Sequence, residues 1–329
     1  MRRVSVIATG GTIVSANCGS GASPDAARTS DLLESVRARL AELGMGCSLR
    51  RPFGDAGFDS SDIGPEQWRA IARCAADEIS SGSRGIIVMH GTDTMAYTSA
   101  WLSLCFDGTN VPIILTGSQR TPDAPDFDGL RNLFDAAEAV SKGLAGVWIC
   151  FNGRLFCGGG AHKAHALDFD AYVSRGAKSL SLAELPARSL PEQSADPKLN
   201  FRAVPESAVS CLVVQPGMAP LLSGEEKILI VSGFGAGNVP HHVREYISKR
   251  YESREKPLII ACSQAELGDK APLAYDGVGL GSLARDGFAV WSQGERPLEF
   301  IAALAFFALS GDSAPEEALS RYLQRIVIK

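Results

Sequence analysis

Apolar and polar residues alternate along the first half of the chain in blocks that predict strands and helices in turn. Short runs of β-branched and other apolar residues are typical of buried strands, and longer amphipathic segments are typical of helices. The predicted strands are Val4–Ala8, Gly85–His90, Val111–Thr116 and Leu144–Phe151. The predicted helices are Thr29–Leu43, Pro65–Ser80, Thr98–Leu104 and Asp128–Lys142. This alternation favours an α/β fold with a mostly parallel sheet covered on both faces.

The second half of the chain resumes the alternation after a stretch rich in Pro, Ser and Ala. Little periodicity is present from Ser179 to about Ser207, which is typical of a linker. We therefore predict an N-terminal α/β domain over residues 1–185, a linker over 186–206 and a smaller C-terminal α/β domain over 207–329. Its predicted strands are Cys211–Gln215, Lys227–Gly233, Pro257–Ser263 and Phe288–Gln293, and its predicted helices are His241–Tyr251, Leu298–Leu309 and Pro315–Ile326.

Two of the N-terminal strands end in turns of glycine and threonine. The first runs into Gly10-Gly11-Thr12 and the second into Gly91-Thr92-Asp93-Thr94. If these strands are parallel neighbours, both turns lie at the carboxyl edge of the sheet, where ligands bind in open α/β folds. Threonine is a poor turn residue, but it supplies a hydroxyl. The pattern therefore predicts a site with a hydroxyl nucleophile.

A threonine hydroxyl is a weak nucleophile and needs a base within hydrogen-bond distance. The candidate base is Lys163, which follows the three glycines at 158–160 and has few flanking charges. Asp93 would orient it, as the aspartate of a catalytic triad orients its histidine. A lysine acts as a base only in its neutral form, which requires burial or a neighbouring charge.

Each of these features also has a purely structural interpretation. The two turns can be only well-capped turns, Lys163 can be a surface residue, and Asp59-Ser60-Ser61-Asp62 reads by default as a loop with a helix cap. His162 and His165 can share one helical face, but no third ligand with fitting spacing is present, so no metal is predicted. Nucleotide-binding loops find no support, because neither GxxxxGK[ST] nor GxGxxG occurs between a strand and a helix.

Composition narrows the classes of partner. The chain has 329 residues, 45% of them hydrophobic and 21% charged, and a net charge of −5. No basic surface for a nucleic-acid backbone is expected, and the longest apolar stretch, Phe300–Leu309, is too short to span a membrane. We read Val4–Ala8 as a first strand rather than as a signal peptide. Eight cysteines without a CxxC pair favour a reducing cytoplasm.

Together these segments resemble the bacterial-type L-asparaginase/glutaminase family. The matching pieces are Ala8–Ile13, Asp59–Asp62, His90–Met95, Leu115–Ser118, Lys163 and Gly233–Asn238. Ala8–Ile13 and His90–Met95 are the two signature motifs of that family, in their usual order and spacing. The resemblance is strong over residues 1–170 and thinner from about 205. It implies a larger N-terminal α/β domain, a smaller flavodoxin-like C-terminal domain, and hydrolysis of a side-chain amide to aspartate and ammonia without metal or organic cofactor.

The resemblance also implies roles for individual residues. Thr12 would be the nucleophile, and Thr92, Asp93 and Lys163 would form a second catalytic cluster. Main-chain donors of Gly11 and Thr92 would stabilise the oxyanion. The expected substrate-binding residues are Gly11, Asp59, Ser60, Ser61, Thr92, Asp93, Ser118, Asn238 and Glu266. Among these, Ser60 and Asp93 would hold the α-carboxylate and α-amino group, and Ser118 would contact the amide.

The resemblance further implies a homo-oligomer, a dimer or a tetramer, in which a neighbour completes each site. Asn238 matches the family residue that does this, and Glu266 matches less closely because Ser263–Asp269 aligns loosely.

The chain departs from the family at two places. The loop after the first strand normally carries a tyrosine that hydrogen-bonds the nucleophile, whereas Val14–Ser30 contains none. The available hydroxyls in that loop are Ser15, Ser20, Ser23, Thr29 and Ser30. Ser61 stands where secreted members often carry glutamine, so the chain is more similar to the cytoplasmic type.

Three hypotheses remain. The first is a cytoplasmic L-asparaginase with a threonine nucleophile. The second is an amidase of the same kind that acts on L-glutamine, a D-amino acid amide or another amide, because the pocket lacks the tyrosine. The third is a catalytically weak sensor of asparagine or aspartate.

Overall fold

The computed structural model describes residues 2–17, 22–55, 57–187, 199–266 and 278–326. The chain divides into two compact units, Met1–Leu199 and Asn200–Lys329. Most of the predicted linker, residues 188–198, lies outside the described residues. The finer bounds of the two domains and the linker stay predictions.

The first unit contains a seven-stranded sheet with helices on its faces. The strands of the whole unit, in the large sheet and in two small hairpins, are β1 (Arg2–Ala8), β2 (Ser15–Asn17), β3 (Ala22–Pro24), β4 (Met45–Arg50), β5 (Ile86–Met89), β6 (Pro112–Thr116), β7 (Gly146–Phe151), β8 (Arg154–Cys157), β9 (Ala161–Lys163), β10 (Tyr172–Ser174) and β11 (Leu180–Ser181). Its helices are α1 (Ala26–Glu42), α2 (Pro65–Ser80), α3 (Met95–Cys105) and α4 (Gly129–Ser141). The sheet order is β11-β8-β7-β6-β5-β1-β4, and two further pairs, β2–β3 and β9–β10, form small hairpins.

The large sheet is mostly parallel, as the strand–helix alternation predicts. Only the pairs β7–β8 and β8–β11 are antiparallel. Every residue of β5 and β6 is buried, which explains why these strands read as continuous apolar runs rather than as an alternating pattern. The β7–β8 hairpin turns at Asn152 and Gly153, whose φ angles are 47° and 72°. An Asn-Gly pair with positive φ at both positions suits the twist of a two-residue hairpin.

Helix bounds follow local capping. Helix α2 has the predicted bounds because Pro65 is pre-organised for the first helical position, and Gln67 Oε1 accepts from the Gly64 amide at 3.1 Å. Helix α1 begins at Ala26, three residues before the predicted start. Asp25 caps it, since its carboxylate accepts from the Arg28 amide at 2.9 Å.

The second unit contains a five-stranded sheet. Its strands are β12 (Val209–Val213), β13 (Ile228–Gly233), β14 (Leu258–Ser263), β15 (Val290–Ser292) and β16 (Gln324–Ile326), and its helices are α5 (His241–Arg250), α6 (Leu298–Ser310) and α7 (Pro315–Tyr322). The strands follow one another in chain order, and only β16 runs antiparallel. The single helix predicted over Pro315–Ile326 is wrong at its end, because Leu323 is extended and the next three residues pair with the edge of β15.

A buried carboxylate lies just before β13 in this second unit. Glu226 accepts from the Tyr251 hydroxyl at 2.5 Å and from the amides of Ser223 and Gly224 at 2.8 Å. Burial raises the pKa of Glu226, but these hydrogen bonds outweigh that effect and lower the pKa to about 2. Glu226 therefore carries its charge at neutral pH and ties the loop before β13 to the end of α5.

The described helices contain no segment long and apolar enough to cross a bilayer. Two mostly parallel sheets, each with helices packed on it, confirm the predicted α/β fold class.

Candidate active site

Two of the glycine–threonine turns contact each other at the carboxyl edge of the large sheet. Strands β1 and β5 are parallel neighbours, as the sequence predicts. Gly11 has a φ of 87°, and a Cβ built on it would lie 2.3 Å from the Gly91 Cα atom. Only glycine fits such an approach of two backbones. The contact holds the residues that follow, Thr12 and Thr92, at one edge of the sheet.

Thr12 begins a short 3-10 helix, Thr12–Val14, directly after the first turn. Its side chain is partly exposed. Within the described part of the chain its hydroxyl makes no hydrogen bond. The hydroxyl is therefore accessible to a ligand at the sheet edge.

Thr92, Asp93 and Lys163 form a hydrogen-bonded cluster, although Lys163 is some 70 residues further along the chain. Lys163 Nζ lies 2.8 Å from Thr92 Oγ1 and 2.5 Å from Asp93 Oδ1. Thr92 is 4% exposed, the Lys163 side chain is 12% exposed, and the Asp93 side chain is 65% exposed. The cluster thus places an amine and a buried hydroxyl next to a carboxylate that faces solvent.

The β9–β10 hairpin brings Lys163 to this position. Lys163 ends β9, and Tyr172 is its partner in β10. The buried Tyr172 hydroxyl donates to the Thr92 carbonyl at 2.6 Å, and its ring packs on Phe151 and Phe156. Tyr172 therefore fixes the hairpin to the second turn. Sequence reasoning missed it, because nothing in the local pattern places residue 172 beside residue 92.

A third turn, after β6, adds two polar side chains. Ser118 is fully buried, and its hydroxyl donates to the Arg120 carbonyl at 2.6 Å, so its oxygen remains available as an acceptor. Thr92 Oγ1 donates to Gln119 Oε1 at 3.0 Å. Gln119 was not a predicted site residue, although the sequence pattern flags its turn, Thr116–Gln119, as polar and glycine-containing.

The segment before α2 docks on the first turn. Gly10 pairs with Phe58 as a parallel bridge, and a Cβ on Gly10 would lie 2.2 Å from the Phe58 carbonyl oxygen. Ser60 is buried, and its carbonyl accepts from the Thr94 hydroxyl at 2.6 Å. The structure therefore brings Ser60 to the same edge as the two threonine turns.

Asp59 and Ser61 flank Ser60 and are both exposed. Asp59 caps a short 3-10 helix, since its carboxylate accepts from the Ser61 amide at 2.8 Å. A residue of this segment therefore caps a short helix of its own, whereas the residue that caps α2 is Gly64.

The main-chain donors near Thr12 differ from the expectation. The Gly11 amide already donates to the Phe58 carbonyl at 3.0 Å, so it is occupied in this geometry. Among the described residues, the amides of Thr12 and Thr92 make no hydrogen bond. These two amides, unlike that of Gly11, are open donors at the sheet edge.

The buried His90 side chain hydrogen-bonds the backbone of the second turn. Its Nδ1 donates to the Gly91 carbonyl at 2.7 Å, and its Nε2 accepts from the Thr98 hydroxyl at 2.8 Å. Complete burial lowers the pKa of His90 to about 4, although the bond to Gly91 acts in the opposite direction. His90 is therefore neutral near pH 7 and serves the turn rather than proton transfer.

Three of the five candidate hydroxyls in residues 14–30 bind backbone carbonyls, and two of these, Thr29 and Ser30, lie in the first turns of α1. Ser15 donates to the Gly11 carbonyl at 2.9 Å, Thr29 to Asp25 at 2.8 Å and Ser30 to Ala26 at 3.0 Å. Ser23 is exposed, and Ser20 lies outside the described residues. Because the bonds of Ser15, Thr29 and Ser30 go to backbone carbonyls and not to Thr12, these three hydroxyls do not act there as the family tyrosine does.

The second unit carries the two residues expected to serve a neighbouring subunit. The Asn238 main chain pairs with Phe234 and Gly279 just after β13, and its side-chain Oδ1 is buried without a hydrogen bond. Glu266 is exposed and follows β14. Each follows a strand of the second sheet, and their contribution to a site stays a prediction.

No group of three or more His, Cys, Asp and Glu side chains that fits a metal ion occurs within the described ranges. His162 lies in β9 and His165 in the loop that follows it, so the helical face that would pair them is not formed.

The protein is thus an α/β protein that holds a hydroxyl, an amine and a carboxylate in contact at the carboxyl edge of its large sheet. Residues 3–189 match the sequence profile described as "Asparaginase, N-terminal". The chain is 30% identical over 268 residues to the L-asparaginase of Thermococcus kodakarensis, a match that covers 78% of each chain. A solved structure of the thermostable L-asparaginase from that organism superimposes with a TM-score of 0.75 at 27% identity, covering 97% of this chain and 96% of that one. The chain belongs to the asparaginase family.

A second group of relatives carries a different name. A component of the glutamyl-tRNA(Gln) amidotransferase of Haloquadratum walsbyi is 33% identical over 198 residues. This match covers 55% of the chain but only 45% of that relative. The resemblance to the asparaginase family stated from the sequence is confirmed, and the substrate within the family is a separate question.

Proposed function

We propose that this protein hydrolyses the side-chain amide of L-asparagine to L-aspartate and ammonia, with Thr12 as the nucleophile. The observation that carries the proposal is the Lys163–Thr92–Asp93 cluster beside the turn that presents Thr12. Similarity to the L-asparaginase of Thermococcus kodakarensis over 78% of the chain supports the choice of substrate.

In the proposed reaction, Thr12 Oγ1 attacks the amide carbon, its hydroxyl proton is transferred to the amide nitrogen, the C–N bond breaks and ammonia leaves. Water then cleaves the ester on Thr12 and restores its hydroxyl. The open amides of Thr12 and Thr92 stabilise the oxyanion that develops in both steps. Lys163, held by Asp93, exchanges a proton at Thr92 Oγ1, and the buried Ser118 oxygen accepts from the substrate amide.

The substrate's charged ends would bind at the rim of the site. Asp93 and Asp59 are exposed carboxylates that suit an α-ammonium group. The buried Ser60, with Ser61 beside it, offers hydroxyl donors to the α-carboxylate. These roles remain part of the proposal.

Glutamine is the second candidate substrate. The similarity to an amidotransferase component whose name contains glutamyl-tRNA(Gln) favours an amide other than that of asparagine. One methylene changes discrimination by only about 1–3 kcal/mol, so a small change in the pocket can shift the preference. D-amino acid amides and an amino-acid sensor remain alternatives because of the missing loop tyrosine.

We further propose a cytoplasmic homo-oligomer, a dimer or a tetramer, in which Asn238 and Glu266 complete a neighbour's site. Seven described cysteines are free thiols, which suits a reducing compartment. Light scattering after gel filtration measures the assembly. A monomer with full turnover contradicts this part of the proposal.

The test of substrate is ammonia release from L-asparagine, L-glutamine and D-asparagine at neutral pH, compared by kcat/KM. We expect L-asparagine to be preferred. A preference for L-glutamine would show that glutamine, the second candidate, is the substrate. Tight binding of asparagine or aspartate without ammonia release from any amide would contradict both enzymatic proposals and support an amino-acid sensor.

A further inference from the structure

Gln119 joins the Thr92 turn to the loop between β9 and β10. Its Nε2 group donates to the carbonyls of Ala166 at 3.2 Å and Asp168 at 2.8 Å. Its Oε1 accepts from Thr92 Oγ1 at 3.0 Å. A single partly exposed side chain thus connects the catalytic cluster to the hairpin that carries Lys163.

These contacts determine which end of the Gln119 amide faces Thr92. In the flipped orientation Oε1 would face the carbonyl oxygens of Ala166 and Asp168, and three acceptors would meet without a proton between them. Nε2 therefore faces the loop, where both of its protons are used. Oε1 faces Thr92 and can only accept.

The direction of this bond determines the role of Lys163 at Thr92. A hydroxyl has a single proton, and in Thr92 that proton points to Gln119. At the 2.8 Å contact Lys163 Nζ must therefore donate and Thr92 Oγ1 must accept. We propose that Gln119 is a positioning residue that orients the Thr92 hydroxyl and so makes Lys163 the proton donor of the pair in the resting site. This inference rests on the proposed amide hydrolysis and deepens it.

The backbone of Gln119 is fixed as firmly as its side chain. The Asp128 carboxylate accepts from the amides of Gln119 and Arg120, both at 3.0 Å, and from Asn132 Nδ2 at 2.9 Å. Asn132 is buried and also accepts from the Asn152 amide at 3.1 Å. Gln119 therefore starts from a rigid turn, which is what orienting a hydroxyl requires.

A double-mutant cycle tests the proposal. Gln119→Met keeps the length of the side chain but removes its hydrogen bonds, and Thr92→Val removes the hydroxyl that Gln119 orients. We expect Gln119→Met to lower kcat at least about tenfold when Thr92 is present, the scale of one lost hydrogen bond with a misoriented group. In the Thr92→Val protein the same change should alter kcat by less than about twofold, because no hydroxyl remains to orient.

Asp170→Ala is the matched control. Asp170 lies in the same β9–β10 loop, where its Oδ1 accepts from Asn152 Nδ2 at 3.2 Å. The bonds of Gln119 and Thr92 do not involve it, so the variant loosens the hairpin without removing a partner of Gln119. Its effect should be equal in the two backgrounds. If Gln119→Met also lowers kcat equally in both, Gln119 only supports the loop and the proposal is overturned.

Two further results keep the outcome decisive. If the Thr92→Val protein is too slow to measure, a crystal structure of Gln119→Met decides: we expect the Thr92 side chain to rotate away from Lys163, and an unchanged contact near 2.8 Å overturns the proposal. A wild-type protein that hydrolyses no amide overturns the proposed function together with this inference. Turnover with equal losses overturns the inference alone.

Discussion

Replacing Gly11 by alanine tests the contact that brings the two threonine turns together. Gly11 has a φ of 87°, and an added Cβ would lie 2.3 Å from both the Cα and the N atom of Gly91. Both neighbours are backbone atoms, so no side-chain rotation relieves the overlap. One of the two turns must move.

The expected cost has two parts. At φ 87° and ψ 179° the Gly11 backbone lies in a region essentially restricted to glycine, which costs another residue roughly 1–3 kcal/mol, and overpacking costs about 1–3 kcal/mol. Gly11→Ala should therefore lower the free energy of unfolding by about 2–6 kcal/mol. In a unit of this size each kcal/mol corresponds to about 2–4 °C of melting temperature. Displacing Thr12 by about 1 Å should lower kcat by about 10²-fold as well.

Gly44→Ala is the matched control. Gly44 has a similar φ of 73°, but a Cβ there would meet no atom within 4 Å. This variant carries only the backbone penalty, and its kcat should stay at the wild-type value. Melting temperatures from scanning fluorimetry and kcat from ammonia release measure both effects. Equal melting temperatures for the two variants, or full activity of Gly11→Ala, would show that the turns do not touch in this way.

Three other perturbations have defined outcomes. Lys163→Met should lower kcat by at least about 10²-fold in the ammonia assay, because the Thr92 hydroxyl loses the amine with which it exchanges a proton. Equal kcat values for the wild-type protein and Lys163→Met would show that Lys163 takes no part in the mechanism. Tyr172→Phe should lower kcat by about tenfold and destabilise the protein by about 1–3 kcal/mol, since the buried Thr92 carbonyl loses its partner; an unchanged kcat contradicts the anchoring role. Glu226→Gln should destabilise the protein by about 2 kcal/mol at pH 7 in urea titrations. Because the folded pKa of Glu226 is lowered to about 2 from an ordinary 4.5, that difference should persist above pH 4.5 and shrink as the pH falls towards 2; a difference that does not depend on pH contradicts the assignment.

The sequence predicts the framework of the site because the framework is local. Runs of buried residues closed by glycine give β1 and β5, and their turns follow directly. Pro65 marks the start of α2 without help from the rest of the fold. The Asn152-Gly153 pair is a local hairpin signal of the same quality, and reading it would also have predicted the turn from β7 into β8.

The remaining parts depend on contacts between distant segments. Gln119 acquires its role only because residues 166 and 168 lie beside it, and Tyr172 only because β10 pairs with β9 next to Thr92. No local periodicity encodes either contact. The last helix was predicted too long for a similar reason, since pairing with the edge of β15 outweighs the helical pattern after Tyr322.

The sequence alone does not determine which hydroxyl in residues 14–30 takes the place of the missing tyrosine, and the structure reduces the number of candidates. Ser15, Thr29 and Ser30 are each bonded to a backbone carbonyl. At these three positions, therefore, no hydroxyl is bonded to Thr12 as the family tyrosine would be.

The most direct test of the central claim is ammonia release from L-asparagine by the wild-type protein, Thr12→Val and Thr12→Ser, assayed side by side. Valine keeps the shape of threonine without its hydroxyl, and serine keeps the hydroxyl. We predict that Thr12→Val loses at least about 10²-fold in kcat while Thr12→Ser remains within about tenfold of the wild type. Turnover by Thr12→Val near the wild-type rate would contradict a threonine nucleophile at this site.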